Sequence, residues 1–378
     1  MILSSNNRSI AFLQSAGYYV DIKLLLLLKI LEGYDKINLH IILHKLNEDL
    51  QMATDKTHNE EKSKHCMKLR QLLLESCGIM AEYAKDCRND YVAHNSSQTS
   101  SENTSCCDWY HSAWQYLRVL DCVSSPQWHY EFYKSAFEKV FSEKTNVKIL
   151  ISGTADYSFL YLILSLLANN KKVTVEIDVV DLCPTPLEIC KWLKKNLKNS
   201  NKNWTVKTIQ SNITMYSSEY KYDIICSDAF LTRFSVQESK SILSKWEEIL
   251  NDGGRVITTV RLRDMTQESK LRLIALSSDI NIFCKKVISK YKLLTKEEKN
   301  KLNISVEDLR FMAFRYIVRM KSNALGGKAE VENLFKCNGL EIIGGDSDVG
   351  SVVGEIRETN YYRIVAQKLI KGSKRGKK

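Results

Sequence analysis

The stretch Val147 to Tyr157, VKILISGTADY, constrains this chain more than any other. Its β-branched and leucine run ends in a Ser-Gly turn at Ser152 and Gly153, and the leucine-rich helical pattern SFLYLILSLLA follows at once, so it reads as strand, tight turn, helix. In a doubly wound sheet such a turn lies at the carboxyl edge of the strands, where backbone N–H groups and a helix start receive a ligand. The same rhythm continues. The strand of VTVEIDVVDLCPTP ends at Asp181 and is followed by the helix LEICKWLKKNLKN. WTVKTIQ is a shorter strand, YDIICSD ends at Asp228, and the helix SVQESKSILSKWEEIL leads through NDGG to RVITTVRL. Alternation of this kind predicts a mostly parallel sheet with helices on both faces. The helix AEVENLFKCNG, the strand LEIIGG and the strand YYRIVAQKL add a terminal hairpin. Phe311 to Met320 is an amphipathic strand or helix by pattern.

Asp181 follows Gly153 by the interval of one strand-helix-strand crossover, and a carboxylate there accepts the two hydroxyls of a ribose. The alternative role is an N-cap for the helix starting near Pro184. A dinucleotide would need G-x-G-x-x-G for its pyrophosphate, whereas Ala155, Asp156 and Tyr157 follow the single Gly153. Asp156 would repel a pyrophosphate, and a cationic ligand with an amino-acid tail is better tolerated.

From about Lys148 to Leu369 the chain resembles the class I S-adenosylmethionine-dependent methyltransferases. ILISGTADYS stands for the first motif, VVDLCPTPLE for the ribose acid, and YDIICSDAFL for the fourth-strand motif. WEEILNDGGRVITTV supplies the helix, double-glycine turn and fifth strand, and LFKCNGLEII followed by YYRIVAQKL the ending. The resemblance implies an α/β fold: a doubly wound, mostly parallel, seven-stranded Rossmann-like sheet with an antiparallel last strand. It implies S-adenosyl-L-methionine as cofactor, lying over Gly153, Thr154 and Ala155 with its ribose on Asp181. Leu182, Asn212, Ser227, Asp228 and Phe230 complete the cofactor set, Asn212 facing the exocyclic amine. Where the family carries an acid before its glycine and two more glycines after it, this chain has Ile151, Ala155 and Tyr157.

Ahead of the sheet, residues from about Arg8 to Leu50 are helical by period, and a further helix runs from about Cys66 to Arg88. His40 and His44 have metal-ligand spacing with no partner nearby to complete a set, and no metal is expected. The segment Asn95 to Ser105, NSSQTSSENTS, reads as a linker. The expected organisation is an N-terminal helical domain over 1–105, the methyltransferase-like domain over 106–370 and a basic tail over 371–378. Between Trp109 and Tyr133, three of the six tryptophans gather, and Ser124, Ser125 and Pro126 break the segment into two helices. An aromatic stripe at helical spacing either braces the sheet or lines a pocket. His111 and His129 are the candidate bases, and Trp109, Tyr110, Trp114, Arg118 and Tyr133 the candidate acceptor-binding residues. Arg118 would take a carboxylate.

The formal charge is +11, of which the tail carries five, leaving a mildly basic body. Eleven cysteines, with Cys106 and Cys107 adjacent and no CxxC, fit reduced thiols in a cytoplasmic protein. Leu24 to Leu28 is too closely flanked by Asp21, Lys23, Lys29 and Glu32 to span a membrane. The fourth-strand motif SDAFL lacks the Asn/Asp-Pro-Pro-Tyr pattern of amino-group methylation on bases, and no Pro-Cys dipeptide offers a nucleophile for cytosine. Aromatic residues do not interleave with lysines as in a nucleic-acid face. A small-molecule or short-peptide methyl acceptor at O, N or S is therefore expected first, with the N-terminal helices serving as a lid or homodimer surface. The alternatives are an RNA or protein methyltransferase, and a non-catalytic binding protein of the same fold.

Overall fold

The computed structural model describes residues 62–85, 87, 107–168, 170–197, 203–262, 277–320, 323, 325–348 and 360–369. The helices expected between Arg8 and Leu50, the segment Asn95 to Ser105 and the tail 371–378 lie outside the described residues. The chain divides into two compact units, Met1–His65 and Cys66–Lys378, and the second holds the sheet.

Helix α1 covers residues 62–85, with Cys87 again helical. Helix α2 (Asp108–Val119) and a short 3-10 turn opened by Pro126 lead to α3 (Tyr130–Glu143). The expected alternation then appears as β1 (Asn146–Ser152), α4 (Ser158–Ala168), β2 (Thr174–Asp181), α5 (Pro184–Asn196), β3 (Trp204–Gln210), β4 (Tyr222–Asp228), α6 (Val236–Ile249) and β5 (Leu250–Leu262). Helices α7 (Ser277–Lys292), α8 (Lys296–Leu302) and α9 (Val306–Arg319) follow, then α10 (Lys328–Cys337), β6 (Leu340–Asp348) and β7 (Asn360–Lys368). The segment left open between strand and helix, Phe311 to Met320, belongs to α9 up to Arg319.

The seven strands lie in the order β3-β2-β1-β4-β5-β7-β6. Strands β1 to β5 pair in parallel, and β7 runs antiparallel to both β5 and β6. This is the doubly wound sheet with a reversed last strand that the family resemblance implied. The order reverses beside β1, so the carboxyl ends of β1 and β4 mark the switch point, the ligand position of open α/β sheets.

Each central strand is buried on both faces, and alternate residues serve different cores. On β1, Val147, Ile149 and Ile151 join one core while Leu150 joins the other. On β4 the same division separates Ile224 and Cys226 from Ile225. Two-sided burial explains why these strands read as unbroken apolar runs. The first core is completed by Leu69, Leu73 and Met80 of α1, Leu117 of α2, Val287 of α7 and Leu309 of α9. The second is completed by Trp246 of α6 and Phe335 of α10.

The helix ends follow their local chemistry. Ser235 and Glu238 form a reciprocal capping box at the start of α6. At its other end the buried Lys368 donates to the carbonyls of Glu247 (2.6 Å) and Leu250 (3.1 Å), placing a cation on a helix C-terminus.

Candidate functional site

At the end of β1 the chain turns through Gly153, whose φ of 72° lies in the left-handed region that favours glycine. Gly153 N donates to Val180 O (2.8 Å), which ties the turn to β2. The next amide, Thr154 N, donates to Asp181 Oδ2 (2.9 Å), and Cys183 N donates to Asp181 Oδ1 (2.8 Å). Asp181 thus joins the two loops. It does not cap α5 with its side chain in the usual N-cap position; Cys183 stands there without a side-chain cap. Crowding around Asp181 removes water from its carboxylate and raises its pKa from 3.8 to about 6, although backbone N–H groups of Cys183 and Thr154 pull it back. An ionised carboxyl offers about four lone-pair sites. The two amides leave capacity for two hydroxyls. Leu182, 58% exposed, adds an apolar surface beside it.

Asp156 does not face a ligand as a bare charge. Its Oδ1 accepts from Ser158 N (2.6 Å) and so caps α4, and Oδ2 accepts from Trp114 Nε1 (2.9 Å). The buried Arg118 guanidinium lies 3.5 Å from Oδ2 and donates to Gln127 Oε1 and Ser158 Oγ (both 2.8 Å). Trp114 and Arg118 are therefore brought together under the β1 turn, where they hold its shape. Tyr157 is fully buried, with its hydroxyl 2.8 Å from Ser76 Oγ on α1 and its ring stacked on Trp192.

A second group forms at the end of β4. Asp228 Oδ1 accepts from Tyr133 Oη (2.7 Å) and Thr259 Oγ1 (2.8 Å). Tyr133 is fully buried, and its hydroxyl also lies 3.1 Å from Ser227 O. Burial, reinforced by the charge of Asp228, raises the Tyr133 pKa well above its ordinary value, so the phenol stays a donor. Thr259 is opposite Asp228 in the β4–β5 register, a partner the sequence did not reveal. Ala229, with φ of 49°, turns the chain so that the Phe230 ring lies against Gly153. A Cβ on Gly153 would fall 2.2 Å from that ring.

The aromatic segment divides between several tasks. Tyr110 stacks on Trp114 (5.0 Å between centroids) and on Tyr316 of α9 (5.8 Å), and Trp109 lies against Tyr110 and Tyr316. The Arg233 guanidinium sits 5.0 Å from the Tyr110 ring centre. This stack joins α2 to α9, the bracing role, and its edge meets the short turn after β4. His111 is buried, and loss of hydration lowers its pKa to about 4, so it is neutral near pH 7. His129 belongs to a different neighbourhood: Arg363 Nε on β7 donates to its Nδ1 (3.2 Å), and its ring lies 4.8 Å from that of Tyr361. Asn212 is exposed after β3, and its Oδ1, the atom an adenine amine would need, accepts from Thr214 N (3.1 Å) and Thr214 Oγ1 (2.9 Å).

One feature near Asp181 was invisible in the sequence. The thiols of Cys87, Cys107 and Cys183 converge, at 2.8 Å, 2.7 Å and 3.3 Å for the pairs 87–107, 87–183 and 107–183. Hydrogen bonds from Cys107 and then Cys183 hold the Cys87 thiol far below the ordinary thiol range.

No protein-family model matches the chain, and no curated protein matches it. Solved structures do resemble it. A magnesium protoporphyrin IX methyltransferase from Synechocystis PCC 6803, with bound S-adenosylmethionine, is 10% identical over 72% of this chain and 100% of its own, with a TM-score of 0.41. A methyltransferase from Methanosarcina mazei is 12% identical over 61% of this chain and 97% of its own (TM-score 0.38). An N-methyltransferase from Bradyrhizobium japonicum is 10% identical over 67% and 98% respectively (TM-score 0.36). The fold is defined by the strand order and directions given above. No helix among the described residues is long and apolar enough to cross a membrane.

Proposed function

We propose that the protein transfers a methyl group from S-adenosylmethionine to a small molecule or short peptide. The observation that carries this reading is the joint at the sheet's switch point. There Asp181, at the end of β2, takes a backbone N–H from the single-glycine turn after β1 and keeps acceptor capacity for a vicinal diol. Asp156 is already committed to Ser158, Trp114 and Arg118, so its charge is spent inside the protein. Leu182 supplies an apolar contact for a base next to the diol site. Pyrophosphate-containing cofactors fit less well, because only one glycine opens the turn and its first two amides are already bonded to Val180 O and Asp181.

When bound, S-adenosylmethionine supplies an electrophilic methyl group on a sulfonium. The chain's own task is then to align an acceptor and exclude water. Asp228, held through Oδ1 by Tyr133 and Thr259, presents Oδ2 for an acceptor's N–H or O–H. Tyr133 acts as a positioning residue through Asp228. His111, neutral near pH 7, is a weak base, which suits an acceptor that needs little help to lose its proton. His129, bonded to Arg363, is the less suitable base.

One observation favours a second reading, a binding protein that kept the fold and lost catalysis: the Phe230 ring rests on Gly153, where a methionine tail would lie. Calorimetric titration with S-adenosylmethionine and S-adenosylhomocysteine separates the readings. The expected result is binding by wild type and weakening by about 10- to 100-fold in Asp181→Ala, since hydrogen bonds to a charged group contribute about 1.5–3 kcal/mol. Absence of binding by wild type overturns the enzyme reading. Binding without methyl transfer to any member of an amine, phenol and thiol panel favours the second.

A further inference from the structure

We infer that Cys87, Cys107 and Cys183 form a zinc site, which fastens two helix starts and the end of α1 to the carboxyl edge of the sheet. The inference rests on thiol geometry alone and stands whether or not the neighbouring turn takes S-adenosylmethionine.

The three cysteines come from segments 20 and 76 residues apart, and their ligand atoms all lie within 4.8 Å of one another. Cys87 follows α1, Cys107 is the residue before α2, and Cys183 is the residue before α5. A disulfide would draw one pair to about 2.05 Å and leave the third sulfur apart. Here all three pairs are close and none is bonded: each of the three cysteines is free. Three thiolates on one tetrahedral zinc, at Zn–S distances of about 2.3 Å, stand roughly 3.8 Å apart. Opening the triangle by about 1 Å would therefore admit the ion.

Three sulfurs are soft donors that suit zinc and cobalt(II) as its spectroscopic stand-in, with the fourth position of the tetrahedron left to a ligand from outside the trio, while magnesium and calcium take oxygen ligands. The site also has a mechanical consequence. Cys183 N is one of the two amides holding Asp181, so the ion would fix the loop that orients the carboxylate.

The test uses the full-length protein purified under reducing conditions with zinc supplied. Metal analysis is expected to find one zinc per chain in wild type and in Cys337→Ser, which alters a cysteine outside the cluster. Stoichiometric loss is expected in Cys87→Ser, Cys107→Ser and Cys183→Ser. Replacement by cobalt(II) should give thiolate charge-transfer absorption in the near ultraviolet and intense tetrahedral bands in the visible. Because a cysteine variant can fail to fold, the wild-type spectrum and the rise in wild-type melting temperature on adding zinc to chelator-treated protein stand as independent readouts. A wild type that takes up no zinc or cobalt, or a disulfide found within the trio in unreduced protein, overturns the inference. So does full zinc content in all three folded serine variants.

Discussion

Asp181 carries two opposed demands in one side chain. Burial raises its pKa from 3.8 to about 6, so the folded chain holds this proton more tightly than the unfolded chain does. The sign follows from linkage: this group favours the native state below pH 4, and that contribution is lost as pH rises through 6. A ribose diol, however, needs the carboxylate as acceptor. S-adenosylmethionine affinity is therefore expected to be flat from about pH 7 upward and to fall by up to about tenfold per unit below pH 6. Calorimetry across pH 5–8 checks this, and an unchanged affinity at pH 5 contradicts the ribose role. Gly153 is constrained just as tightly. Alanine there meets both a positive φ and the Phe230 ring, and should destabilise the protein by about 2 kcal/mol or more in urea unfolding. Adding Phe230→Ala should recover the steric part but not the backbone part. Both residues could be singled out in the sequence because a strand end and a glycine turn are local features. That Asp156 is a cap and a partner of Trp114 and Arg118 could not, since its neighbours come from residues 42 and 38 positions away.

At the scale of elements, each helix start reflects the residues that open it. The reciprocal Ser235 and Glu238 bonds begin α6, and Ser235→Ala should lower stability by about 1 kcal/mol, read as a shift of the urea midpoint with an unchanged slope. The start of α5 behaves differently, because Cys183 caps nothing with its side chain and instead turns its sulfur toward Cys87 and Cys107. The aromatic stripe of α2 shows why spacing alone left its role open. Trp109, Tyr110 and Trp114 have the period of a core face, and the face they find is Tyr316 of α9, some 200 residues later. The same packing decides Phe311 to Arg319, whose apolar positions suit a strand or a helix until Leu309, Ala313 and Tyr316 are seen facing one core.

Within the second unit, buried polar contacts help to join the helices preceding the sheet to it. Ser76 of α1 reaches both Gln115 of α2 (3.0 Å) and the Tyr157 hydroxyl (2.8 Å) just after the glycine turn. Ser76→Ala would leave the two polar groups buried without this partner and should cost about 2 kcal/mol in unfolding free energy. Because Tyr157 adjoins the turn, the same variant should also weaken S-adenosylmethionine binding, measured by the ligand-induced rise in melting temperature. An unchanged ligand shift would separate the helical layer from the site.

The sequence by itself determined the alternation of strands and helices, the turn at Gly153 and the acid at Asp181. Each depends on periodicity or on residues within a few positions, where backbone geometry dictates the outcome. Tertiary structure alone decided that Tyr133 and Thr259 meet on Asp228, that Phe230 covers Gly153, and that three distant cysteines share one corner. Those meetings depend on how whole elements pack, and no period in the chain records which side chains will face each other once the two cores have closed.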